Sequence, residues 1–201
     1  MKHIGIYGGS FNPPHMGHLI VCESVRSQLG LDKVIFVPSA TPPHKKDLRL
    51  ALAEVRLEMT KLAVAGNPAF TVSDAEVRRG GTSYTVDTLM EIKKENPQDR
   101  LHLIIGADNW IEFDTWKSPE QILDLTDIVV MTRPGFAVDR HAHPPPGQSG
   151  RNVRFVEVPQ IGISGTMIRL NIKSRRSIKY LVPPDIEGYI QKHALYHEIT
   201  V

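Results

Sequence analysis

Four short runs, at residues 4–7, 33–37, 101–105 and 128–131, are rich in Ile, Val and Leu and carry no alternating polar face. A strand without a polar face must be covered on both sides, as happens in a parallel sheet sandwiched between helices. The intervening segments supply those helices. Leu19, Cys22, Val25 and Leu29 step by three or four and meet Gly30, a good helix stop. Residues 50–65 put Leu52, Val55, Met59 and Leu62 on one stripe, and a third helix runs from about 84 to 95, ahead of Pro97. Residues 153–158 read as a further strand. Ser164-Gly165-Thr166 opens a helix to about 172, and Pro183-Pro184-Asp185 opens the last one. The expected fold class is α/β: a Rossmann-like, doubly wound, mostly parallel sheet with a small C-terminal helical part. With 201 residues, no repeat and no linker, the reading is a single domain over 1–201 with a helical subregion from about 164. Residues 133–151, with Pro144-Pro145-Pro146-Gly147, read as an exposed mobile loop.

The chemistry concentrates where the first strand ends. Gly8-Gly9-Ser10-Phe11-Asn12-Pro13-Pro14-His15-Met16-Gly17-His18 lies between that strand and the first helix, and open α/β sheets bind ligands at such strand ends. Gly8 and Gly9 keep side chains out of the way, so backbone amides can approach phosphate oxygens. The helix beginning near Met16 aims its N-terminal amides the same way. His15 and His18, three residues apart, share one face there and make a clasp for a polyphosphate. Other nucleotide motifs fail: there is no G-x-x-x-x-G-K-[S/T] run, and Gly5, Gly8 and Gly9 have the wrong spacing for a dinucleotide fingerprint.

Residues 9–18 resemble the G-[S/T]-F-[D/N]-P-x-H-x-G-H signature of the nucleotidyltransferase superfamily, whose H-x-G-H core is shared with class I aminoacyl-tRNA synthetases. Ile163-Ser164-Gly165-Thr166-Met167-Ile168-Arg169 resembles its second signature, I-S-[S/x]-T-x-I-R. Between them Pro42-Pro43-His44-Lys45, Gly81-Thr82-Ser83-Tyr84-Thr85, Gly106-Ala107-Asp108-Asn109-Trp110 and Trp116-Lys117 are similar to bacterial nicotinate mononucleotide adenylyltransferases, so the likeness covers essentially the whole chain. It implies attack by the 5′-phosphate of nicotinate mononucleotide on the α-phosphorus of ATP, with Mg²⁺ accompanying ATP. It implies catalytic roles for His15, His18 and Arg169. It implies ATP contacts from Gly8, Gly9, Ser10, Phe11, His15, His18, Gly106, Asp108, Ser164, Gly165, Thr166 and Arg169. Ser39, Lys45, Thr85, Trp116 and Lys117 would bind the mononucleotide, Trp116 stacking on the pyridine ring and Thr85 with nearby amides holding its carboxylate. One position departs from the pattern: Gly165 stands where a second Ser is frequent, so a hydroxyl is missing at that helix mouth.

Bland readings compete at several positions. Cys22 shares a face with His15 and His18, but it sits on the apolar stripe and reads as core rather than as a metal ligand. Trp110 reads as core, His141 and His143 as solvated, and Asp108 also as a helix cap. No protein metal cage is expected. The basic run 173–179 would be a nucleic-acid candidate, yet a net charge of +2 on this chain favours a solvated face and no nucleic-acid partner. The lone cysteine rules out an internal disulfide. With no signal-like or spanning segment, a cytoplasmic protein without a membrane partner is expected, and homo-oligomerisation is compatible with the sequence. The rival functions are nucleotide transfer to another phosphate acceptor, a non-catalytic nucleotide-binding protein, and an aminoacylating protein. The last lacks a K-M-S-K-S segment here.

Overall fold

A computed structural model describes residues 1–42, 50–132 and 153–197. The strands are β1 (His3–Gly9), β2 (Lys33–Pro38), β3 (Phe70–Val72), β4 (Arg100–Gly106), β5 (Asp127–Thr132) and β6 (Val153–Glu157). The helices are α1 (Met16–Leu29), α2 (Ala53–Val64), α3 (Ala75–Arg79), α4 (Thr85–Glu95), α5 (Ala107–Ile111), α6 (Pro119–Leu125), α7 (Gly165–Lys173) and α8 (Pro184–Lys192), with a 3₁₀ turn at Phe113–Thr115. The six strands pair in the order β3-β2-β1-β4-β5-β6. Every pairing is parallel, so the expected mostly parallel sheet is wholly parallel. That order places a topological switch point between β1 and β4, where the chain turns from building one half of the sheet to the other.

The apolar runs behave as two-sided strands. Ile4, Ile6, Leu101, Leu103, Ile105, Ile128 and Val130 face one layer, where Val86, Leu89 and Ile92 of α4 and Ile122 and Leu123 of α6 cover them. Val34, Phe36, Ile104 and Val129 face the other, against Cys22 and Val25 of α1 and Phe70. Cys22 is completely buried and burial raises its thiol pKa, as the core reading requires. α1 stops where expected: Gly30 adopts a left-handed conformation (φ 61°) and its amide returns to the Arg26 carbonyl.

Two readings shift. The helix expected over 50–65 spans only Ala53–Val64, and Leu52, placed on its apolar stripe, is 72% exposed at the helix start. The buried face is instead Arg56, Leu57, Met59, Thr60, Ala63 and Val64, with Val55 and Leu62 only partly buried. Its Met59 and Ala63 pack with Ile168 and Ile172 of α7 and Ile186 and Ile190 of α8 in a third apolar cluster. The loop expected over 133–151, with His141 and His143, lies outside the described residues.

Candidate active site

The ends of β1 and β4, side by side in the sheet, open a cavity of about 360 Å³, a volume in the range of small-ligand sites. Tyr7 enters from β1; Gly17, His18 and Val21 from α1; Gly106, Ala107 and Asp108 from the β4–α5 junction. His15, just ahead of α1, and Met131 of β5 join them. The far wall is apolar and comes from Val158, Pro159, Ile161 and Ile163, the stretch before α7. The cavity therefore lies at the switch point, as the sheet order demands.

His15 caps α1 in extended conformation, and its backbone N–H donates to Nδ1 of His18 at 3.2 Å. A ring nitrogen that accepts this bond carries no proton, so a neutral His18 holds its proton on Nε2. The two imidazoles stack with centroids 3.6 Å apart and planes 18° off parallel. His15 is buried, and desolvation lowers its pKa to about 4, so at neutral pH it is an uncharged ring. Its Nδ1 has no hydrogen-bond partner among the described residues. The sequence reading gave both imidazoles a charge-offsetting role; burial and stacking leave His15 neutral in the ligand-free chain.

The glycine between them has a packing reason. A Cβ at Gly17 would sit 3.1 Å from His15 Nδ1 and 3.2 Å from Ile161 Cγ2. His15 is pinned by its stack on His18 and does not yield easily. Gly17→Ala is therefore expected to destabilise the fold by about 1–2 kcal/mol, even though alanine favours a helix by about 1 kcal/mol. Urea unfolding together with the His15 ring resonance in NMR checks this. A variant as stable as wild type with an unmoved His15 signal would show that the contact is slack.

At the second strand end, Gly106 caps α5 and Asp108 folds back over it, so that any Cβ at 106 would collide with Asp108 Oδ1. The two signatures meet through the main chain. Arg169 Nη1 donates to the Asn12 carbonyl at 2.7 Å, and its Nη2 to Thr166 Oγ1 at 3.2 Å. A Cβ at Gly165 would lie 2.8 Å from that same Asn12 oxygen, so glycine lets α7 approach the first signature here. Ser164 caps α7 by accepting from the Met167 amide at 3.2 Å. Asn12 Oδ1 also accepts from the Tyr196 hydroxyl at 2.9 Å, tying the C-terminal end to the turn.

Of the expected ATP contacts, His15, His18, Gly106 and Asp108 line the cavity. Phe11 is buried with φ 44° and packs against Tyr7, His18 and Phe36, so its turn presents backbone rather than ring. Gly9 accepts the Ser39 amide at 2.9 Å; the Ser39 hydroxyl is buried with no partner among the described residues. The residues expected to bind the mononucleotide do not line this cavity. Thr85 opens α4, and Lys117 Nζ lies 2.9 Å from Asp87 Oδ2 and 4.6 Å from the centre of the Tyr84 ring. Trp116 is partly buried and its ring is 5.5 Å from that of Phe113. Trp110 is core, 3% exposed. Lys45 lies outside the described residues. The sequence reading assigned no site role to Tyr7, Val21, Met131, Val158, Pro159 and Ile161, apolar or aromatic wall outside every motif, nor to Ala107 and Ile163, which stand inside the quoted motifs. Among the described residues no group of three or more His, Cys, Asp or Glu side chains is placed to hold a metal ion, and no helix is long and apolar enough to cross a membrane.

Residues 6–171 match the model of the family described as cytidylyltransferase-like. A protein named probable nicotinate-nucleotide adenylyltransferase from Salinibacter ruber is 45% identical over 96% of this chain and 97% of its own length. One of the same name from Thermus thermophilus is 46% identical over 96% and 98%. Among solved structures, the Plasmodium falciparum nicotinic acid mononucleotide adenylyltransferase complexed with NaAD superposes with a TM-score of 0.78 at 20% identity, covering 98% of each chain. At that identity the structural likeness bears on the fold alone.

Proposed function

The chain belongs to the cytidylyltransferase-like family, among the nicotinate-nucleotide adenylyltransferases, and from that premise we propose that the cavity between β1 and β4 takes ATP while the residues around the start of α4 take the mononucleotide. The enzyme transfers the adenylyl group of ATP to nicotinate mononucleotide, forming nicotinate adenine dinucleotide and pyrophosphate in NAD biosynthesis. The observation that carries the site assignment is the convergence of His15, His18, Gly106 and Asp108 on one cavity at the switch point.

The chemistry asked of the protein is modest. A phosphate oxygen of the mononucleotide forms a bond to the α-phosphorus as the bond from that phosphorus to the bridging β-oxygen breaks, and pyrophosphate leaves with the electron pair. The nucleophile is already an anion, so no general base is required. What remains is in-line placement and stabilisation of charge on the α-phosphate and leaving group. In this proposal His18 Nε2–H and His15 donate to the triphosphate at the positive end of α1. Gly8, Gly9, Ser10 and Phe11 contribute backbone, and Ser164, Gly165 and Thr166 bring the mouth of α7. Arg169 adds positive charge beside them, already bonded to the motif turn through Asn12. A magnesium ion accompanying ATP would supply charge neutralisation for the phosphates, and Asp108, the acidic side chain lining the cavity, would be the residue to face it. Ser39, Lys45, Thr85, Trp116 and Lys117 form the proposed mononucleotide side.

The domain reading belongs to the same proposal: 1–201 acts as one unit, supported by the apolar cluster that α2 shares with α7 and α8. Cytoplasmic action is also part of it. Product analysis with MgATP against a panel of acceptors, both pyridine mononucleotides included, tests the function. Dinucleotide formed from neither mononucleotide would sink it. The pyridine-pocket assignment has its own check. Trp116→Ala is expected to weaken mononucleotide binding by about 10-fold or more, the scale of a lost aromatic–cation contact, with MgATP affinity nearly unchanged. Equal losses for both ligands in calorimetry would remove Trp116 from that pocket.

A further inference from the structure

Where the two proposed substrate sides meet, the fold buries a guanidinium. Arg56 of α2 is 1% exposed and is the largest side chain that the structure buries completely. None of the ion pairs among the described residues involves it. Its donors go instead to three main-chain carbonyls: Nε to Ala51 at 2.9 Å, Nη1 to Ser10 at 2.7 Å and Nη2 to Ala40 at 2.9 Å. Glu54 and Glu76 act on it only from beyond ion-pair distance. Burying a cation so weakly compensated is expensive, and an apolar residue would fill the same volume without that cost. What only arginine supplies is a rigid planar fork that points several donors in different directions at once.

The three carbonyls belong to three segments. Ser10 is in the turn after β1, on the ATP side; Ala40 follows Ser39 at the tip of β2, on the mononucleotide side; Ala51 leads into α2. Neighbouring bonds hold the same segments. The Ala40 amide donates to Ser83 Oγ at 2.9 Å, so that residue's backbone is gripped through both its N–H and its C=O. The Ser83 amide donates to Thr41 at 2.9 Å and the Ser39 amide to Gly9 at 2.9 Å. The Ala51 amide donates to Asn12 Oδ1 at 3.1 Å.

We propose that Arg56 is a positioning residue for adenylyl transfer, fixing the separation between the motif turn and the 39–41 segment through their carbonyls. This rests on the assignment of substrate sides made above. Arg56 contacts neither nucleotide. Each substrate binds mainly to one side, whereas in-line attack needs both sides at a set distance, and slack of about 1 Å there costs on the order of 10²-fold in rate. Loosening the fork should therefore lower kcat and leave the separate affinities nearly intact.

Arg56→Lys keeps the charge, but one ammonium on a flexible stem cannot span three carbonyls. Calorimetry with MgATP and with nicotinate mononucleotide gives each Kd and the fraction of binding-competent sites, and pyrophosphate release gives kcat per competent site. The expected result is both Kd values within about 3-fold of wild type and kcat per competent site lower by about 10–100-fold. A kcat per competent site equal to wild type overturns the proposal, as does a loss of both affinities as large as the loss of kcat. Should Arg56→Lys fail to fold, Ser83→Ala frees the Ala40 amide from the opposite side. It is expected to show the same pattern at about 3–10-fold, and an unchanged kcat there also overturns the proposal. Failure of the functional reading looks different: the wild-type protein itself would make no dinucleotide.

Discussion

Replacing His18 with asparagine is expected to lower kcat by about 10²–10³-fold while the protein melts within a few degrees of wild type. The two halves of this expectation come from the two nitrogens of one ring. Nδ1 accepts the His15 amide at the start of α1, and the asparagine carbonyl can take over that bond. Nε2, which carries the proton of the neutral ring, has no counterpart in asparagine. The burden on Nε2 is heavy because His15 cannot share it as a cation. Two unit charges 3.6 Å apart repel by about 4–5 kcal/mol at an effective dielectric constant near 20, so the stacked pair carries at most one proton charge. His18→Ala removes both functions and should add about 1 kcal/mol of instability from the orphaned helix-start amide. Steady-state pyrophosphate release and thermal melts on the two variants separate the effects. An asparagine variant with wild-type turnover would confine His18 to capping.

How much of this could be read from the residues alone depended on whether a feature was local. The buried cores of β1, β2, β4 and β5 were legible because each is a continuous apolar run, and α1 was legible because its apolar spacing ends on Gly30. β3, at Phe70–Val72, is too short for any periodicity, and α3, α5 and α6 have 5, 5 and 7 residues, less than two full turns. The pairing of β1 with β4 joins Ile4 to Leu101 and leaves no local trace, so the switch point had to come from the structure. In the site, imidazoles, glycines and an aspartate at strand ends signal chemistry by type. Val158 and Ile161, on the far wall of the cavity, are ordinary apolar residues until the fold brings them round. Arg56 was missed for the opposite reason. A charged residue on a helix reads as solvated, and only the convergence of three carbonyls shows why it is inside.

Stability should fall steeply between pH 6.5 and pH 4, by on the order of 3 kcal/mol for each of two buried histidines. Burial lowers the pKa of both His15 and His102 to about 4. For a histidine with a depressed folded-state pKa the sign is fixed: between the two pKa values the unfolded chain takes up a proton that the native chain refuses. The stabilisation is complete above pH 6.5, declines as pH falls, and is gone below about 4. His102 lies at the start of β4, away from the cavity, with its Nε2 3.0 Å from His3 Nδ1 and its Nδ1 3.5 Å from Asp127 Oδ2. The Asp127 carboxylate favours its protonation, while His3, Arg100 and Arg154 oppose it along with burial. Glu76, whose pKa burial raises, works against the trend and recovers some stability as pH falls. Glu23, lowered by its bond to Arg26, works with it. Urea unfolding at half-unit pH steps should therefore give a slope approaching two protons in the middle of the window. His102→Gln, which keeps a polar end but does not titrate, should bring that slope down toward one. A flat profile from pH 7 to 5 would mean that both rings accept protons in the folded state. Saturating MgATP supplies the complementary reading: an anion beside His15 raises its pKa, so nucleotide binding near pH 5.5 should draw a proton into the complex. Calorimetry in buffers of different ionisation enthalpy measures that uptake, and its absence would move the triphosphate away from His15.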